Sequence, residues 1–482
     1  MRDLRDWLKS VRDIGELYDV KGASCDLEIG AITAENSKRH GPALLFDQIP
    51  GYAEGYRILT STVLSRKRIA LTCNVPYCES NSELITVFED LPEKWEKDAA
   101  KFPPVMVSSG PVTEYQKLGD QVNLLEIPAP QWHEHDGGRY IGTGNLVIMR
   151  DPDTGQINVG TYRVMLIDKN TCTLYISPGK HGHIIMRKYH ERGEACPVAV
   201  SLGHDPLMLI VGGLPIDGEI GEYDYMGAML GESIQVVPGV ITGLPVPAGS
   251  ELVLEGECLP NDLLPEGPFG EWTGYYAGGR EDTQVFRVKG IMHRKDPIMV
   301  GCSPASRGDE YEIMYYRAFL RSAMIKKTLK AAGVPGIQAV WTPENGGTRL
   351  MVIISLKQQY AGHAKQAAYI ASQCRDGAYL GRYVVVVDED IDPTDMNEVL
   401  WAMYTRVDPQ RDTEVMSRTW SSRLDPSLSP ESSPVDNAYY NSRLIIDACK
   451  PYEKRHSFAE RITTSPEMIR HVHEKWKDLF PN

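Results

Sequence analysis

The chain has 482 residues, 42% of them hydrophobic and 24% charged, a composition typical of a globular protein with two or three domains. Its 51 basic and 65 acidic residues give a net charge of -14, which argues against a nucleic-acid partner, because such a partner requires a basic surface. The nine cysteines include no CxxC pair, which argues against a disulfide framework or a structural zinc site. No apolar run approaches the roughly 18 residues of a membrane span, and the acidic start lacks the apolar core of a signal peptide. We therefore expect a cytoplasmic protein with no membrane partner.

The first part of the chain, residues 1–105, is predicted to be a mixed α/β segment. It opens with Leu4, Trp7, Leu8 and Val11 at helical spacing, the pattern of an amphipathic helix. Short apolar runs then alternate with Gly and Pro.

The next part, residues 106–309, has the pattern of an antiparallel sheet. Short runs rich in Val, Ile and Tyr, such as 145–149, 160–167 and 284–288, are separated by turn-forming clusters. This spacing predicts a β-barrel, and the stretch 182–194 is predicted to be a helix within it.

The clearest long helix of the chain is predicted at residues 310–333. Ile313, Tyr316, Leu320 and Met324 recur on one face, and a Gly-Val-Pro sequence ends the pattern.

The remainder of the chain is predicted to be a C-terminal α/β domain over residues 334–460 and a terminal helix within 461–482. Strands at 350–356 and 383–387 alternate with helical stretches, one of them near 394–405. Such alternation is typical of a sheet with helices packed on it.

Two clusters in the barrel region carry residues suited to binding an anion or a metal. In residues 158–163, Arg163 lies among apolar neighbours, so it needs an anionic partner if it is buried; an outward-facing salt bridge is the alternative. In residues 177–183, glycines flank Lys180 and His181, a pair suited to a phosphate or a metal, although a solvated loop has the same composition.

A third cluster, residues 266–271, carries two carboxylates. Glu266 and Glu271 stand at the two ends of a Gly-Pro-Phe-Gly turn. Two carboxylates that converge beside an arginine can act as a proton donor and a proton acceptor, because their environments separate their pKa values. Two surface acids flanking a turn are the alternative.

In order and spacing the three clusters resemble the UbiD family of prenylated-FMN-dependent (de)carboxylases. The resemblance covers about residue 40 to 455 and rests on these segments: Asp136 to Tyr140, the Asn-x-Gly-x-Tyr-Arg motif at 158–163, the Lys-His pair at 180–181, Gly221 to Gly227, Glu266 to Glu271, Val387 to Asp392 and Trp401 to Pro409.

The resemblance implies a fold that mixes α+β and α/β parts. A split β-barrel flavin-binding domain is joined by a long linking helix to a C-terminal α/β oligomerisation domain. We therefore expect a homodimer or a higher assembly of dimers. Ile469, Val472 and Trp476 form an apolar face of the terminal helix that suits such an interface.

The resemblance also implies prenylated FMN as cofactor, supplied by a flavin prenyltransferase, together with Mn²⁺ or another divalent cation and K⁺. The metal ligands of the family correspond to Asn158, His181 and Glu222, with Asp224 as the alternative to Glu222. The residues expected to contact the cofactor are Asn158, Val159, Gly160, Thr161, Tyr162, Arg163, Lys180, His181, Glu222 and Arg382.

The implied reaction is the reversible non-oxidative decarboxylation of an aromatic, heteroaromatic or α,β-unsaturated carboxylic acid, with release of CO2. The catalytic trio of the family corresponds to Arg163, Glu266 and Glu271. Glu271 is expected to donate the proton that replaces the carboxylate, because a general acid must be protonated at working pH. Glu266 is expected to orient Arg163, which engages the substrate carboxylate and the flavin.

Two other functions stay open at this point: a conventional FMN-dependent oxidoreductase on a split barrel, and a non-catalytic subunit of a multi-subunit decarboxylase. The intact trio disfavours the second. Substrate specificity is expected to depend on residues 302–309 and 424–428, whose polar side chains favour a hydroxylated or heteroaromatic acid. The sequence leaves open which acid is bound, the physiological direction, and whether a dimer or a hexamer forms.

Overall fold

The computed structural model describes residues 2–214, 216, 219–276, 278–304, 312–422, 424–428, 439–477 and 479. Mixed sheets and helices follow one another in the predicted order, so the predicted fold class is confirmed. No helix among the described residues combines the length and apolar character needed to cross a membrane.

The first part of the chain packs helices against a four-stranded sheet. Its first helix is capped by Asp3 and buries all four residues of the predicted apolar face. The fourth strand of the sheet is Ile298–Val300, from the end of the barrel region, which ties the two parts together. The elements are α1 (Leu4–Asp13), β1 (Leu17–Lys21), α2 (Glu28–Ser37), β2 (Ala43–Asp47), β3 (Arg57–Thr60), α3 (Arg66–Cys73), α4 (Asn81–Phe88), α5 (Leu91–Asp98) and β4 (Val105–Met106).

The central part is built on a ten-stranded sheet. A 13-residue strand, Glu281–His293, is its spine, since four other strands pair with it, all antiparallel. The elements are β5 (Tyr115–Leu118), β6 (Tyr140–Gly142), β7 (Leu146–Arg150), β8 (Ile157–Gly160), β9 (Val164–Leu166), β10 (Thr171–Leu174), α6 (His181–Glu191), β11 (Cys196–Ser201), α7 (Pro206–Gly212), α8 (Glu222–Leu230), β12 (Gln235–Pro238), β13 (Pro245–Pro247), β14 (Leu252–Cys258), β15 (Leu263–Glu266), β16 (Glu281–His293) and β17 (Ile298–Val300).

One predicted strand of this sheet is interrupted. The run 160–167 divides into the end of β8 at Gly160 and the start of β9 at Val164. The chain leaves the ladder because the Thr161 backbone N–H donates to the carbonyl of Gly212 at 3.1 Å. Residues 161–163 therefore project from a bend, not from alternating faces of a strand.

The C-terminal part is a five-stranded sheet with three parallel central strands and an antiparallel strand at each edge. The elements are α9 (Glu312–Ala331), β18 (Ile337–Trp341), β19 (Met351–Leu356), α10 (His363–Gln373), β20 (Tyr383–Asp388), α11 (Met396–Arg406), β21 (Thr413–Trp420), β22 (Tyr440–Asp447) and α12 (Pro466–Lys475).

The long helix α9 joins the two larger parts. The predicted apolar face is correct for Ile313, Tyr316 and Leu320, which are buried, but Met324 is only partly buried. Buried residues occur on other sides of the helix too, because α9 packs against both α4 and β18. One hydrophobic core continues from α1 through α9 to the C-terminal sheet, while a second fills the barrel.

Candidate active site

A cavity of about 140 Å³ lies where β8 meets the starts of α6 and α8. Asn158, His181 and Glu222, the three predicted metal ligands, all line it although they come from three different elements. The full lining is Asp151, Gln156, Ile157, Asn158, His181, Ile184, Ile185, Ile220 and Glu222.

The polar atoms of this cavity suit a divalent cation. The Asn158 amide donates from Nδ2 to Glu222 Oε1 at 2.8 Å, and the Val159 N–H donates to Glu222 Oε2 at 3.1 Å. The amide oxygen of Asn158 is buried and has no hydrogen-bond partner among the described residues. Buried polar atoms are normally satisfied, and an amide oxygen beside a carboxylate is an oxygen pair that a hard cation accepts. Burial also raises the pKa of Glu222 to about 7.

Asp224, the alternative to Glu222, does not line the cavity. Its carboxylate folds back over Gly221, where an added Cβ would lie 2.2 Å from Asp224 Oδ2. Among the described residues, no group of three or more His, Cys, Asp or Glu side chains forms a metal cluster. The set of Asn158, His181 and Glu222 is not such a group, because one of its three candidate ligands is an asparagine amide.

Tyr162 connects the bend after β8 to the start of α6. Its hydroxyl accepts the backbone N–H of Gly182 at 3.3 Å. Its ring lies so close to two glycines that a Cβ would stand 2.6 Å from it at Gly160 and 2.9 Å from it at Gly182. The glycines of the two motifs therefore let one aromatic ring hold His181 opposite Asn158.

The predicted catalytic trio forms one network. Arg163 donates from Nε to Glu266 Oε1 at 2.9 Å and from Nη2 to Glu266 Oε2 at 3.0 Å, a bidentate pair. The same guanidinium donates from Nη1 to Glu271 Oε1 at 3.1 Å. The Glu266 side chain is 2% exposed and that of Glu271 is 21% exposed. The two carboxylates thus share one cation but differ in access to solvent.

Aromatic residues complete this network, and sequence reasoning gave them no role. The Tyr140 hydroxyl donates to Glu266 Oε1 at 2.7 Å. The Arg163 guanidinium lies 4.0 Å from the centre of the Tyr175 ring and 5.4 Å from that of Phe269. Tyr140 ends the motif that begins at Asp136, so the position of that motif ahead of the first cluster is the signal that could have identified it.

Electrostatics fix the charge states around Glu266. Burial, followed by the charge of Glu266, raises the pKa of Tyr140, so its hydroxyl remains a donor. Burial opposes the charge of Arg163, but its hydrogen bonds and ion pair with Glu266 raise its pKa above the ordinary value. Glu266 therefore accepts hydrogen bonds from three donor groups: Nε and Nη2 of Arg163 and the hydroxyl of Tyr140.

The turn between the two glutamates is braced by the Asp136 motif. Gly137 donates its N–H to the carbonyl of Pro268 at 2.8 Å. A Cβ at Gly137 would lie 1.9 Å from the carbonyl oxygen of Gly267, and Gly267 itself has a φ of +83°. The close approach of the two backbones requires a glycine at position 137, and the positive φ favours a glycine at position 267, so the two glycines shape the turn between the glutamates.

Two further predicted cofactor contacts lie apart from the cavity lining. The Lys180 side chain is accessible to solvent. Partial desolvation by the surrounding protein is the largest cause that lowers the pKa of its ammonium group, and the charges of Arg317 and Arg349 lower it further. Arg382 pairs with the carboxylate of Asp425 and also donates to Ser427. The structure therefore does not bring Arg382 to Asn158, His181 and Glu222.

Only part of the predicted specificity region can be described. Residues 302–304 and 424–428 lie within the described residues, and Asp425 and Ser427 of the second stretch hold Arg382. Residues 305–309 lie outside the described residues.

Comparison with protein families matches nearly the whole chain. The N-terminal, Rift-related and C-terminal domains of 3-octaprenyl-4-hydroxybenzoate carboxy-lyase match residues 8–88, 105–307 and 314–448. The pyrrole-2-carboxylic acid decarboxylase of Pseudomonas aeruginosa is 30% identical, covering 99% of this chain and 98% of the relative.

Solved structures agree with these matches. The chain is similar to the UbiD-class enzyme HmfF from Pelotomaculum thermopropionicum in complex with FMN, with a TM-score of 0.85 and 28% identity over 98% of this chain and 100% of the other. An evolved dimeric form of HmfF in complex with prFMN has a TM-score of 0.80 and 27% identity, over 99% and 100% of the two chains. With three family domains in order, a relative of full length and a common fold around the site, this chain belongs to the UbiD family of carboxy-lyases.

Proposed function

We propose that this chain catalyses the reversible non-oxidative decarboxylation of an aromatic, heteroaromatic or α,β-unsaturated carboxylic acid, with prenylated FMN as cofactor. The observation that carries the proposal is the network in which Arg163 bridges Glu266 and Glu271. An arginine, a fixed carboxylate and a solvent-accessible carboxyl are what is needed to bind an acid and to protonate the carbon that loses CO2. Support also comes from the relative that acts on pyrrole-2-carboxylic acid and from the neighbour in complex with prFMN.

The cofactor site proposed here is the cavity around Asn158. The Asn158 amide oxygen, the His181 imidazole and the Glu222 carboxylate would hold a divalent cation such as Mn²⁺, with K⁺ close by, and this cation would bind the flavin phosphate. The unsatisfied amide oxygen and the buried carboxylate support this donor set. When bound, prenylated FMN supplies an electron-accepting ring that stabilises the charge left on the substrate carbon as CO2 departs.

The proposed division of labour between the glutamates follows from their surroundings. Glu266 accepts hydrogen bonds from two N–H groups of Arg163 and from the hydroxyl of Tyr140, so it is held in place and orients Arg163. Glu271 is more exposed and receives Arg163 Nη1, so it can take a proton from solvent and deliver it to the substrate carbon. Arg163 positions the substrate carboxylate.

The conventional flavin oxidoreductase remains the competing function, and its test is simple. Purified protein with prenylated FMN and Mn²⁺ is supplied with a panel of aromatic, heteroaromatic and unsaturated acids in D2O, without any electron acceptor. We expect CO2 release and deuterium at the vacated carbon. Protein made without a flavin prenyltransferase should fold but stay inactive, and activity with unmodified FMN alone would contradict the proposal.

A further inference from the structure

The proposed proton donor stands on a short turn in the segment between β15 and β16. Two backbone hydrogen bonds close this turn: Glu271 donates its N–H to the carbonyl of Tyr275 at 3.0 Å, and Gly274 donates its N–H to the carbonyl of Glu271 at 2.9 Å. We call residues 271–275 the donor turn. Both bonds lie within the donor turn, so they fix its shape but not its place relative to Arg163.

The residue after Glu271, Trp272, joins the donor turn to the C-terminal part of the chain. Its partly buried indole lies over Gly347, a buried residue of the loop between β18 and β19. A Cβ built at Gly347 would lie 1.8 Å from Trp272 Cε3, 2.1 Å from Cζ3 and 2.8 Å from Cδ2. Carbon atoms in contact stand about 3.5–4.0 Å apart, so the ring is seated directly on the glycine and no larger residue fits beneath it.

The loop that carries Gly347 is a firm support for this ring. Within the loop, Gly347 donates its N–H to the carbonyl of Glu344 at 2.8 Å. At the start of the loop, Thr342 is completely buried. Thr342 donates its N–H to the hydroxyl of Ser322 at 3.0 Å and its own hydroxyl to the carbonyl of Ala318 at 3.2 Å, both on α9. The surface beneath the indole is therefore tied to the long helix.

The chain just before the donor turn has a support of its own. There the N–H of Gly137 is donated to the carbonyl of Pro268 at 2.8 Å. This contact precedes Glu271 in the chain, whereas the contact of Trp272 follows it. The proton donor is thus held from both sides, and the indole provides the hold from the C-terminal part.

We propose that Trp272 is a positioning residue for the proton donor: its seat on Gly347 holds the Glu271 carboxyl where it reaches the substrate carbon. The inference rests on the proposed function, in which Glu271 delivers the proton that replaces CO2. A displacement of about 1 Å at a catalytic group can cost about 100-fold in rate. A shift of that size would also break the hydrogen bond from Arg163 Nη1 to Glu271, which is 3.1 Å long.

Kinetics separates this role from two others that an indole can have in such a place. An indole that binds the acid affects KM. An indole that only stabilises the fold affects the amount of active protein, so its loss lowers kcat but changes neither KM nor the effect of D2O on kcat. Displacement of a proton donor slows proton transfer itself. In that case kcat falls, KM stays the same, and the ratio of kcat in H2O to kcat in D2O rises.

The first test compares Trp272→Ala with Trp272→Phe in protein loaded with prenylated FMN and Mn²⁺. Trp272→Ala should lower kcat about 10- to 100-fold and raise the solvent isotope effect, with the KM and flavin content of the wild-type protein. Trp272→Phe keeps an aromatic ring over Gly347 and should retain most of the wild-type kcat. The control Trp401→Ala removes a partly exposed indole on α11 and should change neither kcat nor the isotope effect.

Gly347 allows a second comparison, a double-mutant cycle. Gly347→Ala should displace the indole and lower kcat much as Trp272→Ala does. The double variant should be little slower than Trp272→Ala alone, because no ring is left to displace; losses that multiply would overturn the inference. Gly347 has a φ of +59°, which strains an alanine. Gly362→Ala, at a φ of +82° with no described atom within 4 Å of the added Cβ, controls for this strain and should keep the wild-type kcat.

Hydrogen exchange measures the position of the donor turn without turnover. In flavin-loaded Trp272→Ala protein, the N–H groups of Glu271 and Gly274 should exchange faster than in the wild-type protein. An unchanged exchange rate or an unchanged isotope effect would overturn the inference, as would a raised KM with the wild-type kcat or the loss of flavin. If Gly347→Ala does not fold, the Trp272 variants decide alone. Failure of the proposed function would look different: the exchange would still be faster, but no acid would release CO2 even from the wild-type protein.

Discussion

At the scale of single residues, the site depends on making two chemically identical carboxyl groups different. Glu266 is almost completely buried and has donors from Arg163 and Tyr140 arranged around it, whereas Glu271 is partly exposed and faces one N–H of the same arginine. Environment of this kind separates the roles of paired carboxylates. Tyr140 therefore deserves a direct test, because it acts on the substrate only through Glu266.

Tyr140→Phe should lower decarboxylation by about 3- to 10-fold, the effect of one lost hydrogen bond. The loss should appear as a higher KM for the acid, because Glu266 would hold Arg163, which positions the substrate carboxylate, less firmly. Flavin and metal content should not change. Tyr404→Phe, at an exposed position on α11, is the control, and a KM equal to that of the wild-type protein would show that Tyr140 is only structural.

At the scale of elements, the first residue of α6 determines which histidine lines the cavity. Lys180 is the residue before the helix, and His181 is its first residue, held by the contact between Tyr162 and Gly182. His183 lies two residues further along the same helix and does not line the cavity. The start of one helix thus separates a proposed ligand from an otherwise similar histidine.

We expect His181→Ala to retain the metal and the flavin at least about tenfold more weakly, because it removes a proposed ligand of the cation. Metal analysis and flavin absorbance of the purified protein measure this effect, and the protein should be nearly colourless. His183→Ala serves as the control and should remain coloured. Equal cofactor retention by the two variants would contradict the assignment of His181.

The sequence is informative about elements whose signals are local. The helical spacing of Leu4, Trp7, Leu8 and Val11 correctly predicts α1, and the resemblance to a known family places Asn158 and Glu222 at one cavity although 64 positions separate them. What it misses depends on contacts distant in sequence. The bend after Gly160 arises from a bond to a carbonyl on α7.

The residues that the sequence leaves without a role have the same explanation. Tyr140 donates to Glu266 across 126 positions, and Arg317 on α9 donates to the carbonyl of Gly213 across 104 positions. A charged residue on a helix has the same local pattern whether it faces solvent or a cleft. Only the packing of α9 between the barrel region and the C-terminal sheet distinguishes the two.

At the scale of the whole molecule, α12 has an apolar face that the described part of the chain leaves largely exposed. It contains no buried residue, and Ile469 and Trp476 are about half exposed. Apolar exposure of this kind is typical of interaction surfaces. Together with the predicted oligomerisation role of the C-terminal part, it favours a homodimer or an assembly of dimers.

Light scattering should therefore give a mass of at least twice the 53.8 kDa of one chain. Ile469→Glu places a charge on the apolar face of α12 and should shift the mass towards the monomer if this helix forms the contact. Ile462→Glu, at a fully exposed position just before α12, is the matched control. A mass of one chain over a wide range of wild-type concentrations would contradict the assembly.

The central claim, that Glu271 delivers the proton which replaces CO2, is tested most directly by Glu271→Gln. The substitution keeps shape and hydrogen-bonding capacity but removes the transferable proton. We expect the Glu271→Gln protein to contain as much flavin and metal as the wild-type protein. Its decarboxylation in D2O and its deuterium incorporation should both be about 10²- to 10⁴-fold slower, as for the loss of a general acid. Glu467→Gln, on the exposed surface of α12, should behave as wild type. Near wild-type decarboxylation and deuterium incorporation by the Glu271→Gln protein would contradict the account and assign the proton donor to another group.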